Sequence, residues 1–346
     1  MDRRNLVATV AGFAVAAIAL GALAAVVGAR EVLAAIGRAE PLYVGAVAVA
    51  VLAWLCLWGL GLWVVLAAGG TQVSAVDAIL VNAGAAFANH VTPFGQAGGE
   101  PVAAWLVSDV ADVSFERSLA AVTSFDTINV VPSLSLAGVG LAAYAAVGTL
   151  DARLRLLLGG VLVAAAAFVL ALALAWRYGD AIEGGLVRVL DPVARAVGRT
   201  VPFLDRPPGA AIESRVEGFV AGIGRVARDR RRLALALCLS TAGWAVQAVG
   251  LWAALLALGS PVPVYVPLFV VPLGTVANAV PTPGGLGGIE AVQVTLLVGT
   301  TGVAAATATA AVAIFSVGGF ALTTSVGAAA VTVLKVRDWG PAGTHR

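Results

Sequence analysis

Long apolar segments separated by short polar ones run through most of this chain of 346 residues. An α-helix needs about 20 apolar residues to cross the hydrocarbon core of a bilayer, and six segments reach that length. We predict membrane-spanning helices at residues 6–27, 42–67, 119–147, 154–176, 233–258 and 303–334. The pattern therefore predicts an all-α fold, a polytopic helix bundle embedded in a membrane.

Two further apolar regions, 74–107 and 264–300, are interrupted near their midpoints by proline and clustered glycines. Both interruptions read TPxGxxGxE, and they match at a constant offset without a gap. The matched residues are Thr92, Pro93, Gly95, Gly98 and Glu100 in the first region and Thr282, Pro283, Gly285, Gly288 and Glu290 in the second. The match indicates a structural duplication, and the breaks predict two discontinuous or re-entrant helices.

The arginines predict the orientation of the chain. The segment 177–232 carries 11 of the 21 basic residues against seven acidic ones, and positively charged loops stay in the cytoplasm. Arg3 and Arg4 at one end, and Lys335 and Arg337 at the other, then also lie inside. We therefore predict a multi-pass plasma-membrane protein with both termini cytoplasmic.

This orientation predicts one integral membrane domain over residues 1–346. A first half, 1–176, and a second half, 233–346, flank a cytoplasmic amphipathic segment at 177–232. The two broken regions enter the membrane from opposite sides, so the repeat is predicted to be inverted.

Composition narrows the class of function. Hydrophobic residues make up 60% of the chain, charged residues 12%, and the mean hydropathy is +0.97, which excludes a water-soluble globular protein. A formal net charge of only +2 does not favour a nucleic-acid partner. The sequence shows neither metal-ligand spacing nor a nucleophile motif, so we expect no enzyme, no metal and no cofactor.

The two breaks are the strongest candidate site. Unwound backbone is tolerated at membrane depth only where protein or water satisfies it, so each break is expected to line a polar cavity. Gly98 and Gly99 permit close backbone approach, and the helix that resumes near Glu100 or Glu290 presents N–H groups that attract a phosphate. Each glutamate either caps its helix or faces the cavity to bind a proton, a cation or an amine.

Other polar residues inside the apolar runs are accessory candidates. Asp126 lies on a polar stretch of the span 119–147 and either faces the cavity or has a structural partner. His90, beside the first break, either relays protons or is structural. Arg117 either meets a lipid phosphate or anchors the helix at the interface. Asn89 and Asn278 precede the two motifs at nearly equivalent positions.

The strings NHVTPFGQAGGEPVAAWLVS, FERS and NAVPTPGGLGGIEA resemble the lysylphosphatidylglycerol synthase transmembrane family, also described as flippase-like. The family motifs map onto Pro93, Gly98, Gly99, Glu100, Glu116 and Arg117, and onto Pro283, Gly284, Gly285, Gly288 and Glu290. The family often has an arginine soon after the first GGE, where this chain has Val102 and Ala103. The resemblance covers nearly the whole chain.

The resemblance implies transport of a lipid. In the full-length synthases the membrane portion resembles a flippase for aminoacylated phosphatidylglycerol, and a separate C-terminal domain makes that lipid. The expectation here is the membrane domain alone. Stand-alone members include uncharacterised proteins and relatives fused to or working beside lipid-linked glycosyltransferases, so the resemblance makes polyprenyl-phosphate sugars a second class of expected cargo.

We interpret the chain as a translocator that moves a phospholipid or a lipid-linked head group through a cavity lined by the two broken helices. One alternative is a secondary transporter of a small solute. Another is a non-catalytic membrane partner of a lipid-modifying or glycosyltransferase enzyme. The expected partners are membrane lipids, together with a second copy of the chain or a lipid-modifying enzyme.

Overall fold

The computed structural model describes residues 29–91, 96–147, 152–177, 221, 223–275 and 287–338, and in these ranges the regular structure is helical, without a strand. The helices in the described ranges are α1 (Ala29–Gly37), α2 (Pro41–Ala68), α3 (Ala75–Val91), α4 (Gln96–Ala111), α5 (Phe115–Val147), α6 (Ala152–Arg177), α7 (Arg230–Ala257), α8 (Tyr265–Gly274), α9 (Gly288–Thr301) and α10 (Ala305–Asp338).

The long helices coincide with the predicted spans. α2, α5, α7 and α10 are long and apolar enough to cross a membrane, and α6 covers the segment predicted at 154–176. The predicted span at 6–27 lies outside the described residues. Large apolar side chains are exposed along the outer faces of these helices, where lipid rather than water suits them. Examples are Leu42, Val49, Val139, Leu162 and Val163. The protein is an all-α polytopic membrane protein, as predicted.

The helix boundaries repeat with the offset of the sequence motif. α3 begins at residue 75 and α8 at 265, α4 ends at 111 and α9 at 301, and α5 begins at 115 and α10 at 305. Each pair of boundaries has the same separation in the chain as Thr92 and Thr282, which open the two TPxGxxGxE strings. The duplication therefore extends from the motif to the helices around it.

The two halves run in opposite directions through the bundle. α2 opens the first half and α7 the second, and they pack along their length as an antiparallel pair. The Glu40 N–H donates to the Ala257 carbonyl oxygen at 2.8 Å, and the Arg232 guanidinium donates to the Ala67 carbonyl oxygen at 2.5 Å. The close approach at mid-length depends on Gly243, where a Cβ would overlap the indole of Trp58.

The broken regions form two antiparallel pairs of short helices. In the first pair, α3 and α4, Asn89 lies against Gly99 and Gly84 against Leu106. In the second pair, α8 and α9, Gly274 lies against Gln293.

The two pairs have their outer ends at opposite ends of α5. α4 leads into the start of α5 through a three-residue link. At the other end of α5, the Tyr144 hydroxyl donates to the Thr300 carbonyl oxygen at 3.1 Å, and the Tyr144 ring lies 6.3 Å from that of Tyr265. α5 has 33 residues, about 50 Å at 1.5 Å per residue. The inner ends of both pairs therefore point towards the middle of the bundle.

Part of the predicted amphipathic segment is described. Val226 is buried against the cluster that includes Leu66 and Val122. The Arg225 side chain donates to the Gly69 carbonyl oxygen at 3.3 Å, beside the C-terminus of α2. Cationic side chains are favourable at a helix C-terminus, so this segment is held to the end of α2.

Candidate functional site

The inner ends of the two helix pairs meet at a cavity of about 170 Å³, here called the central cavity. Trp54 in the middle of α2 and Gln247 in α7 place it at mid-depth in the bundle. Its lining residues are Ala50, Val51, Trp54, His90, Gln247, Val271, Thr275, Ile289, Glu290, Gln293, Phe315, Ser316, Gly319, Phe320 and Thr323. The fold thus brings a residue from before the first motif, His90, together with the final glutamate of the second.

Glu290 both lines the central cavity and caps α9. Its side chain is only 2% exposed, and its Oε2 accepts the Gly287 N–H at 2.5 Å. Gly287 has a φ of +94°, a backbone conformation that glycine adopts readily. Glu290 therefore caps α9 and lines the central cavity at the same time, so the two roles that the sequence left open do not exclude each other.

His90 is held between α3 and α10 on the cavity wall. Its Nδ1 lies 2.8 Å from the Thr324 Oγ1, and its ring stacks on Phe320 with centroids 4.1 Å apart. These contacts fix the ring orientation at the inner end of α3. The histidine is thus a rigid part of the wall, one turn from the motif that follows it.

Glu100 and Asp126 lie together, away from the described wall of the central cavity. Glu100 is in the second turn of α4 and is half-buried, while Asp126 is on an exposed face of α5. Their carboxyl groups are close enough to interact electrostatically. The hydroxyls around Asp126 are satisfied within α5, since Ser124 donates to the Ala120 carbonyl oxygen and Thr127 to the Thr123 carbonyl oxygen.

Gly99 of the first motif has a packing role. A Cβ on Gly99 would overlap the side chain of Asn89, so only glycine lets α3 and α4 approach this closely. The Asn89 Oδ1 is buried and has no hydrogen-bond partner among the residues that the structure describes. Gly98 lies in the first turn of α4. Arg117 lies in the first turn of α5, and its N–H donates to the Ser114 hydroxyl oxygen at 3.4 Å.

Seven predicted site residues lie outside the described part of the chain, namely Thr92, Pro93, Gly95, Asn278, Thr282, Pro283 and Gly285. Gly288 is described and begins α9 beside the cavity. Among the described residues, no group of three or more His, Cys, Asp or Glu side chains is arranged to hold a metal ion.

Sequence reasoning missed three polar groups on the cavity wall. The Trp54 Nε1, the Gln247 Nε2 and the Gln293 Oε1 belong to residues that line the central cavity. Each of these atoms is buried and has no hydrogen-bond partner among the described residues. A signal was present, since Gln247 lies inside an apolar span and Gln293 lies one helical turn after Glu290.

A second, apolar opening adjoins the central cavity. It is a groove of about 400 Å³ between α2 and α10, here called the lateral groove. Its lining residues are Val44, Val47, Ala48, Val51, Ile314, Gly318, Gly319, Ala321, Leu322 and Ser325. Val51 and Gly319 line both spaces, so the groove and the cavity are neighbours that share a wall.

Comparison with known proteins identifies the family. The model of the family described as "Lysylphosphatidylglycerol synthase TM region" matches residues 9–327. The chain belongs to this family. A relative in the same comparison is a UPF0104 membrane protein of Methanothermobacter thermautotrophicus, 24% identical over 283 residues that cover 80% of this chain and 81% of the relative. The family resemblance carried by the glycine-rich motifs is therefore confirmed.

Membership in the lysylphosphatidylglycerol synthase TM family has a direct implication for the site. The matching model describes the membrane region of the synthase and contains no catalytic domain. Both the central cavity and the lateral groove lie within the matched residues. Family membership therefore indicates a membrane-embedded function.

Proposed function

We propose that this protein is a lipid translocator of the flippase type. The head group of the lipid occupies the polar central cavity, and the hydrocarbon chain occupies the lateral groove. The observation that carries the proposal is the shared wall at Val51 and Gly319, which joins a polar space at mid-depth to an apolar space open to the lipid. A site for a small solute needs no such groove.

The arrangement lowers the barrier that limits lipid crossing. A polar head group that enters hydrocarbon unaided loses its hydrogen bonds to water, at a cost of several kcal/mol. Polar groups at mid-depth replace those bonds. The groove offers a surface for the chain, because Ala48, Gly318 and Ala321 are small and exposed towards the lipid. The lipid therefore keeps its chain in the bilayer while its head group passes through protein.

The inverted halves supply a route for alternating access. Two helix pairs that enter as re-entrant segments from opposite faces, with inner ends at one cavity, expose that cavity to either side when one half rocks against the other. The cargo is a phospholipid or a polyprenyl-phosphate-linked lipid, and the role is not enzymatic. A second copy of the chain or a lipid-modifying enzyme is the protein partner.

The translocation test uses purified protein in proteoliposomes with labelled phosphatidylglycerol, its lysyl derivative and a polyprenyl phosphate. We expect Gly318→Leu to slow translocation about tenfold or more, equivalent to about 1.4 kcal/mol on the barrier, because the new side chain fills the lateral groove. A Cβ on Gly318 meets no atom within 4 Å, so the fold tolerates the change.

The matched control is Gly160→Leu. Gly160 lies on an exposed face of α6, and a Cβ there also meets no atom within 4 Å. This variant should move lipid at the wild-type rate. Equal rates for the two variants would remove the lateral groove from the mechanism. If folded wild-type protein moves none of the three lipids above the rate of empty liposomes, the translocator proposal fails, and solute uptake becomes the function to assay.

The proposed orientation has its own test. With both termini in the cytoplasm of a plasma-membrane protein, a fluorescent protein fused after residue 346 should fold and fluoresce, while alkaline phosphatase fused there should be inactive. Alkaline phosphatase fused within the link between α5 and α6 should be active, because that link is outside. The opposite pattern at both positions would reverse the topology.

A further inference from the structure

The lateral groove has a counterpart in the other half of the molecule. The groove runs between α2 and α10, and α7 and α5 are the repeats of these two helices. At the offset of the two motifs, Gly319 on the wall shared by groove and cavity corresponds to Asn129 in α5. Ala50, on the cavity wall in α2, corresponds to Ser240 in α7. The duplication therefore predicts a second lateral opening, between α5 and α7.

Hydrogen bonds close this counterpart in the structure. The Ser240 hydroxyl donates to the Asn129 Oδ1, and the Trp244 Nε1–H donates to the Asn129 backbone carbonyl oxygen at 3.1 Å. All three residues are buried, and their two hydrogen bonds are here called the Asn129 contact. Gly319 has no side chain and Ala50 has no polar group, so α2 and α10 cannot form the equivalent side-chain bond.

Apolar packing closes the counterpart as well. Ile128 is buried in α5, whereas its equivalent, Gly318, is exposed in the lateral groove. Phe125 is buried with its ring centroid 6.4 Å from that of Trp58, whereas its equivalent, Phe315, lines the central cavity. Equivalent helices therefore form an opening in one half of the molecule and a packed contact in the other.

We propose that the Asn129 contact holds shut a second lateral gate, which opens between α5 and α7 when the lateral groove closes. This inference rests on the proposed function and names a second opening for the lipid chain. α2 and α10 begin at one end of the bundle, and α5 and α7 begin at the other. The two openings therefore serve opposite leaflets, as inverted repeats that exchange conformations require.

The Asn129 contact has hydrogen bonds that can be replaced when the gate opens. The Ser240 hydroxyl can turn to the Ala236 carbonyl oxygen, four residues earlier in α7. The neighbouring Thr241 hydroxyl already donates to the Leu237 carbonyl oxygen in this way. Hydrogen bonds between membrane helices are of modest strength, because such alternatives exist. The contact is therefore specific enough to close the gate and weak enough to release it.

Two carboxylates lie in the half of the molecule that the second gate would open. Glu100 and Asp126 are the equivalents of Glu290 and Ser316, which line the central cavity. Asp126 lies one turn before Asn129 in α5, and its carboxyl group is close enough to that of Glu100 to interact electrostatically. Opening of the gate gives the first half a polar wall equivalent to that of the central cavity.

The test measures the separation of α5 and α7 in the full chain in phosphatidylcholine nanodiscs. Spin labels are attached to the native Cys238 in α7 and to Val131→Cys in α5, both exposed, in a chain that also carries Cys56→Ser. Pulsed electron resonance gives the distance distribution between the labels. We expect Ser240→Ala and Asn129→Leu to raise the population of long distances about fivefold, because each removes the hydrogen bond between the two side chains.

The matched control for the distance measurement is Thr241→Val. Thr241 is exposed and its hydroxyl donates within α7, so this variant should keep the distribution of the labelled parent. Ser240→Ala adds no volume to the packed contact, so its effect does not depend on overpacking. Unchanged distributions in both Ser240→Ala and Asn129→Leu would overturn the gate.

A reversible bridge tests the gate during transport. Asn129→Cys and Ser240→Cys are combined in a chain with Cys56→Ser and Cys238→Ser, and Hg²⁺ joins the two thiols. We expect the bridged protein to translocate lipid about tenfold more slowly or less, and added thiol to restore the rate. Each single-cysteine protein should not respond to Hg²⁺. A bridged protein that moves lipid at the unbridged rate would also overturn the gate.

The two experiments distinguish failure of the gate from failure of the proposed function. A wild type that moves no lipid, with distances that lengthen in Ser240→Ala and Asn129→Leu, keeps the gate and loses the translocator. A wild type that moves lipid, with distances that stay unchanged in both variants, keeps the translocator and loses the gate.

Discussion

Gly327→Ala is expected to lower the free energy of unfolding by about 3 kcal/mol, because the added methyl group overpacks a helix contact. Gly327 is buried where α10 packs on α3. A Cβ there would overlap the Ala83 carbonyl oxygen and lie 2.6 Å from the Phe87 Cβ. Because the carbonyl belongs to the backbone, no rotamer change relieves the overlap, and the helices must separate. Small residues at such contacts are typical of membrane helix pairs.

The measurement is titration of the protein with SDS in mixed micelles, followed by circular dichroism. Gly318→Ala is the matched control on the same helix, since its Cβ meets no atom within 4 Å. Alanine is the better helix former, so the control should be as stable as the wild type or more stable by up to about 1 kcal/mol. Similar losses in both variants would show that the α3–α10 contact is not this close.

The separation of α3 from α10 should also change the position of His90 on the wall of the central cavity. His90 depends on Thr324 and Phe320 for its position, and both lie within two turns of Gly327. We therefore expect the Gly327→Ala protein that remains folded to translocate lipid more slowly than the wild type does.

Glu290→Leu should lose about 3 kcal/mol of stability and nearly all translocation, whereas Glu290→Gln should keep most of both. The leucine leaves the Gly287 N–H without its acceptor in a buried site and removes the helix cap. The glutamine amide oxygen still accepts the Gly287 N–H. The hydrogen bond between Gly287 and Glu290 holds the cavity wall at the start of α9. Its loss should therefore distort the central cavity directly.

The pair of variants separates the capping role of Glu290 from a role for its charge. Both are assayed for SDS resistance and for lipid movement in the same proteoliposomes. Glu31→Leu, an exposed acidic residue in the first turn of α1, is the control and should change stability by less than about 0.5 kcal/mol. A Glu290→Gln protein that is as stable as the wild type but moves no lipid would show that capping alone is not sufficient and that translocation requires the carboxylate.

Local patterns were sufficient to predict the helices and their duplication. A span is recognised by a continuous apolar run, because the bilayer imposes its length on every helix that crosses it. The two TPxGxxGxE strings predicted a repeat with a constant offset, and α3 and α5 begin, and α4 ends, at this offset from the corresponding ends of α8, α10 and α9. These features depend on residues close together in the chain.

The repeat did not predict which contacts equivalent residues make. Glu100 and Glu290 are equivalent in the motif, yet Glu290 caps a helix on the cavity wall while Glu100 lies near Asp126. Trp54 and Trp244 are also equivalent, because the same offset separates them. The Trp244 N–H donates to the Asn129 carbonyl oxygen at 3.1 Å, whereas the Trp54 N–H is buried and has no hydrogen-bond partner in the described part of the chain.

The sequence by itself determined the membrane class, the described spans, the family and the internal repeat of this protein, because each follows from local composition or from a contiguous motif. Only the tertiary structure decided that His90, Gln247 and Glu290 share one cavity and that a lateral groove adjoins it. Two equivalent residues acquire different partners when the two halves pack antiparallel and their sequences differ around them. Which side chain meets which is a property of that packing, since it depends on helices that lie far apart in the chain.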